Sequence, residues 1–106
     1  MTDDSATNGL LVNEIDTGEG LLVAVADREL LGKTFEEGRI SLTVTEEFYG
    51  GEPADEPTVV ERITSAHVAN IVGTRAVDLA VEAGLVDEEN VLDVDGTRHA
   101  QLLHLG

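Results

Sequence analysis

The chain lacks cysteine altogether, and it is poor in aromatics, with two phenylalanines, one tyrosine and no tryptophan. The first absence excludes a disulfide framework, thiolate zinc sites and a cysteine nucleophile. The second means that the core must be aliphatic, since 42% of the residues are apolar but only 3% aromatic. No apolar run approaches the ~20 residues that cross a bilayer. The start, MTDDSATNG, has no apolar segment of the kind a secretory signal needs. These absences predict a soluble, cytoplasmic protein with no membrane contact and no metal or cofactor.

Positive charge is also scarce. Twenty-two acidic residues face six basic ones, giving −16 and a pI near 4.1, and the only lysine is Lys33. In dilute buffer such a density opposes compaction. A disordered chain could carry it, but this one has periodic aliphatic segments that disordered chains lack. The composition therefore reads as adaptation to molar intracellular salt, where the screening length falls to roughly 3 Å. Most of the carboxylates then need no role beyond surface hydration. The same screening weakens the objection that an acidic chain cannot approach nucleic acid.

At 106 residues the length suits one domain. Residues 1–8 read as an acidic disordered tail and 9–106 as the folded unit. Leu10 to Ile15 reads as a strand, joined through the glycine-bearing loop Asp16–Gly20 to the short apolar strand LLVAVA, Leu21 to Ala26. This pair is expected in the middle of the sheet. Asp27 is placed to cap the single turn DRELL, which Gly32 ends. Arg39 to Val44 alternates as a half-exposed strand, and TEEFYGGEPADEP reads as loop. Thr58-Val59-Val60-Glu61 matches a capping box, which starts a helix at Thr58 running to about Ala66. HVANIV, 67–72, could extend that helix or form a short strand, the extended form being preferred, and a second helix spans about Thr74 to Ala83 with a Schellman ending at Gly84-Leu85. Asn90 to Val94 and the Asp95-Gly96 turn form a hairpin that pairs Val94 with Thr97, Asp93 with Arg98 and Leu92 with His99. The sum is an α+β fold: a small mixed, mainly antiparallel sheet of about five strands with two to three helices packed on one side.

Four places could carry function, each with a simpler reading beside it. His99 shares an inferred face with Leu92, Val94, Gln101 and Leu103; it is a core histidine bonded to a neighbour such as Gln101, or a ligand at a pocket edge. Asn70 to Arg75 puts Gly73 at a helix start, where free N–H groups and the helix dipole attract anions and Arg75 adds a guanidinium. The simpler reading is that Gly73 only permits the bend. Phe48-Tyr49-Gly50-Gly51 places two of three aromatics in a glycine-flanked loop, to dock on a partner or to plug the core. Lys33, after Gly32, is ambiguous in the same way. No nucleophile is linked to a histidine, and the histidine spacing does not suggest a metal site.

Three separated stretches, ADRELLGKTFEEGRISLTVTEEFYGGE, ANIVGTRAVDLAVEAGLVDEENV and DGTRHAQL, resemble in that order an archaeal family known as domain of unknown function 424. The resemblance spans about Leu10 to Leu103 and fits a halophilic member. Arg98 departs from it, since proline is expected there in many members. The resemblance implies a small stand-alone archaeal protein associated with translation or RNA-related complexes. Two functions follow. One is a non-catalytic binding module that contacts the ribosome, RNA or a translation-related protein through Phe48, Tyr49, Gly50, Gly51, Gly73 and Arg75. The other is a small enzyme or sensor that holds an anionic molecule with Arg75 or Lys33, beside Asn70, His99 and Gln101. The first is preferred, because no catalytic signature is present.

Overall fold

In the computed structural model, residues 9–104 are described; the expected acidic tail, residues 1–8, lies outside the described residues. β1 (Leu10–Asp16) and β2 (Leu21–Asp27) form the expected antiparallel hairpin. A 3-10 turn at Arg28–Leu30 leads into a separate hairpin, β3 (Thr34–Glu37) and β4 (Ile40–Thr43). Next come a one-turn helix α1 (Glu46–Tyr49), a short strand β5 (Glu52–Ala54) and helix α2 (Glu56–Ser65). The chain ends with β6 (Val68–Val72), helix α3 (Thr74–Glu82), a 3-10 turn at Glu88–Asn90, β7 (Leu92–Val94) and β8 (Thr97–Leu103).

The α+β class is as expected, but the sheet is larger. Its six strands run β5-β1-β2-β6-β8-β7, mostly antiparallel, with β2 and β6 the parallel pair. β2 and β6 hold the centre, so the first hairpin is displaced to one side of it. The helices do not all lie on one face. α2 and α3 cover one side, where Val59, Ile63, Ala76, Val77 and Ala80 pack against Leu10, Val23, Val25, Ile71 and Ala100. On the other side α1 and the β3–β4 hairpin supply Tyr49, Phe48, Phe35, Leu42 and Val44 over Ala24, Ala26 and Val72. The unbroken apolar run of β2 is explained by this arrangement: alternate residues feed the two cores, and Val23 to Ala26 are 0% exposed. Full burial of each such valine contributes about 1.5–3 kcal/mol relative to exposure.

Local chemistry sets the element ends. α2 begins at Glu56 rather than Thr58, because Asp55 accepts the Thr58 N–H at 3.0 Å and Pro57 suits a first turn. α3 closes as predicted: Gly84 sits at φ +78°, its N–H bonds to Val81 O at 3.0 Å, and Leu85 N–H reaches Ala80 O at 2.9 Å. Asp95 (φ +51°) and Gly96 (φ +89°) make the tight turn, and the β7–β8 register is the one inferred. β3, α1 and β5 fall in stretches that read as connection or loop.

Candidate functional site

The start of α3 is built from two strand ends. β2 and β6 run in parallel, so Asp27 at the end of one stands beside Gly73 at the end of the other. The expected cap of DRELL is absent: Asp27 makes no side-chain bond to its own turn. Instead its carboxylate crosses to α3, taking the Arg75 N–H at 3.0 Å and the Ala76 N–H at 2.8 Å. Gly73 adopts φ +113°, ψ +145°, and a Cβ there would sit 2.3 Å from the Asp27 Cγ. Only glycine fits. Gly73 is also anchored through its N–H to the Arg98 carbonyl at 2.8 Å.

The anion at this helix start is thus the chain's own. Two donors that the sequence offered to an external ligand are occupied by Asp27, which is 5% exposed. Burial pushes the Asp27 carboxyl above its ordinary value, outweighing the pull of the two N–H groups in the other direction. Beside it lies a cavity of about 410 Å³ lined by Thr74, Arg75, Glu29, Glu56, Asp78 and Glu82 among others. Five carboxylates, Asp27 among them, share this lining with one guanidinium and disfavour a further anion.

The remaining candidates separate into two regions. Asn70 and Gln101 are cross-strand partners, and His99 pairs with Val72, so all three share the sheet face that α1 covers only in part. Arg75 lines the cavity on the helical side. Asn70, Arg75, His99 and Gln101 therefore do not line one pocket among the described residues. His99 is half-buried, not a core residue, and burial lowers its pKa below 6.5, which keeps the imidazole neutral near pH 7. No hydrogen bond joins it to Gln101 among the described residues. On the same face Leu92 is 44% and Leu103 60% exposed. The inferred register put these leucines beside His99; on the same face Val94 and Thr97 are buried near the β3–β4 hairpin, while the Leu92 and Leu103 positions stay open.

The aromatic loop takes the second of its two readings. Tyr49 is 5% exposed and Phe48 half-buried, with ring centroids 4.8 Å apart in an edge-to-face contact. Burial pushes the Tyr49 phenol up to about 12. Gly50 and Gly51 serve close approach: a Cβ on Gly51 would lie 1.8 Å from the Val12 carbonyl oxygen. These residues plug the second core, since an aliphatic chain has few other side chains of that size. Lys33 is exposed and works through its backbone, which donates to Leu30 O and accepts from Val44 N, both at 2.9 Å.

Sequence reasoning paired Arg98 with Asp93 but missed its larger role. Its guanidinium also binds Asp78 of α3 and Glu88, tying three elements together. Nothing local in the sequence signals those partners. Among the described residues no cluster of His, Asp or Glu could hold a metal ion, and no helix is long and apolar enough to cross a membrane.

A crystal structure of an uncharacterized conserved protein from the archaeon Methanopyrus kandleri is similar to this fold, with a TM-score of 0.73 and 25% identity. The match covers 92% of this chain and 95% of that one. No curated protein matches the chain. Residues 15–105 match the family described as "Protein of unknown function (DUF424)", and with that much of its length matched, the chain belongs to this family.

Proposed function

We propose that the protein is a non-catalytic binding module, cytoplasmic in a salt-adapted archaeon, that docks on a protein of the translation or RNA-handling machinery. The observation that carries the reading is a pair of exposed leucines on one sheet face. Leu92 and Leu103 are two of the three exposed large hydrophobics among the described residues, and they flank His99, Gln101 and Asn70 on one face. Rigid strands, apolar side chains and neutral hydrogen-bonding groups suit a protein contact with an apolar centre. The face presents neither the cations nor the aromatic stacking platform that RNA recognition uses. The separation of Arg75 from His99 removes support from the alternative, a small enzyme or sensor acting on an anionic molecule.

The test is sedimentation of a native lysate in molar KCl, with the wild-type chain beside Leu92→Asp and Leu103→Asp. Both leucines are exposed, so the variants keep the fold within about 0.5 kcal/mol. Co-migration of the wild type with ribosomal subunits, lost in both variants, is the expected result. A wild type that sediments as a free small protein, or variants that co-migrate equally well, overturns the proposal.

A further inference from the structure

A second surface, independent of the leucine face, lies along the edge of the sheet at β1. We propose that the outer edge of β1 at Glu14–Asp16 accepts a basic, extended peptide segment of another protein by strand addition.

The backbone phase identifies the open groups. The Thr17 N–H donates to Gly20 O at 3.0 Å and the Arg28 N–H to Gly9 O at 2.5 Å. Odd-numbered residues of β1 therefore turn their backbone toward β2, and even-numbered ones turn outward. β5 takes up the outward groups of Leu10 and Val12, since it pairs only along Leu10, Leu11 and Val12. It ends there, while β1 continues to Asp16. The outward N–H and C=O of Glu14 and Asp16 have no protein partner among the described residues.

A cavity of about 320 Å³ opens where this edge begins, with Glu14 on its lining beside Gly51, Pro53 and Thr58 and Arg62 of α2. An added strand would continue past that cavity in line with β5, exchanging backbone hydrogen bonds with Glu14 and Asp16. Proteins usually blunt such edges with lysine, proline or a bulge. β5 carries Pro53, but the open half of β1 carries only acidic charge.

Charge chooses the occupant. Glu14 and Glu52 line the cavity, Asp16 lies two residues further along the strand, and Glu61 stands beside Arg62. The single cation, Arg62, is already paired with Glu14 and lies 3.8 Å from Glu61. A second copy would bring the same carboxylates edge to edge, within a chain of net charge −16, and like charges across a ladder repel. Nucleic acid is repelled for the same reason. A strand bearing lysine or arginine at alternate positions satisfies both the backbone and the carboxylates.

The experiment uses the full chain and three end-blocked peptides: alternating lysine and valine, alternating glutamate and valine, and the lysine peptide N-methylated at every residue. Amide hydrogen exchange and NMR shifts are read at Glu14 and Asp16. The lysine peptide is expected to protect both amides, more strongly at lower KCl, and the other two peptides to leave them unchanged. Glu52→Lys, an exposed substitution, is expected to weaken the effect several-fold, while Leu103→Asp leaves it intact. Equal action by the N-methylated peptide, protection mapped elsewhere, or no protection at millimolar lysine peptide overturns the proposal.

Discussion

Removing the Asp27 carboxylate strikes the contact that joins β2 to α3. That carboxylate accepts two backbone N–H groups, at 3.0 and 2.8 Å, from a side chain that is 5% exposed. Asp27→Ala leaves both donors without their acceptor at a mostly dry helix end. A lost N-cap costs ~1 kcal/mol in typical hosts, and each donor stranded in the interior costs about 1–3 kcal/mol. The Arg75 N–H is only part-buried and can recover a water, so the variant is expected to lose about 3 kcal/mol in all. Against a total of about 5–15 kcal/mol for a domain, this lowers Tm by roughly 10–20 °C. Urea and thermal unfolding followed by circular dichroism in molar KCl measure it. Thr74→Ala is the control, because Thr74 is exposed at the first helical position and should cost under about 0.5 kcal/mol. Equal melting of the two variants refutes the cap. Asp27→Asn then isolates the charge. Burial raises the folded pKa of Asp27 above 3.8, so the fold penalises its ionised form. The wild type should gain stability relative to Asp27→Asn as pH falls through that folded value, reaching the full gain below 3.8. The reverse slope would show that the helix end outweighs desolvation.

Gly51→Ala places a Cβ 1.8 Å from the Val12 oxygen and should cost ~3 kcal/mol or more, loosening β5 from β1. Gly96→Ala meets nothing within 4 Å and bears only the strain of its positive φ, about 1–2 kcal/mol; similar losses at both sites would contradict the close approach. Tyr49→Ala should cost about 3–5 kcal/mol as a core deletion. Because Tyr49 is the only tyrosine, ultraviolet titration reads it directly, with a folded midpoint of about 12 against 10.0 unfolded. The stability tied to its neutral phenol is full below pH 10 and is lost as pH rises toward 12; a folded midpoint near 10 would disprove its burial. His99 should titrate below 6.5 by NMR, and the stability tied to its neutral ring is full above 6.5 and lost as pH falls through the folded value. A midpoint at or above 6.5 would contradict the burial of the ring.

What was legible in the sequence was local. Asp95-Gly96 can form only a tight turn, and cross-strand charge between Asp93 and Arg98 fixed its register. Gly84-Leu85 announced the end of α3, and the apolar run of β2 announced a strand covered twice. What escaped depended on distant partners. Asp27 has the chemistry of a cap, but whether it serves its own turn or a helix 48 residues on is decided by the parallel pairing of β2 with β6. β5 is three residues long and includes a proline, so it exists because β1 offers it an edge, not because of its own propensity. Tyr49 lies in a stretch flanked by glutamates and glycines that reads as loop, yet a core with few other large side chains draws it in. The face holding His99, Gln101, Leu92 and Leu103 was inferred correctly, but no local pattern tells a covered face from a bare one.

The central parallel pair also bears on where binding can occur. In open sheets with parallel strands, ligands favour the crevice beyond the carboxyl ends, where helix N-termini and loose backbone groups converge. Here those ends carry Asp27 and Gly73, and the carboxylate fills the position while the missing Cβ makes room for it. The adjoining cavity is walled mainly by acidic side chains. The place where this architecture would hold an anionic substrate is thus spent on holding the fold together. Unsatisfied potential is displaced outward, to uncovered leucines on a sheet face and to unpaired backbone on a sheet edge. The two differ in physics. Apolar burial at Leu92 and Leu103 is insensitive to charge screening, whereas steering of a basic strand toward Glu14 and Asp16 weakens as the screening length shrinks. Raising KCl should therefore leave docking on the face intact while slowing association at the edge, and a partner that uses both should show a salt-dependent on-rate with a nearly salt-independent off-rate.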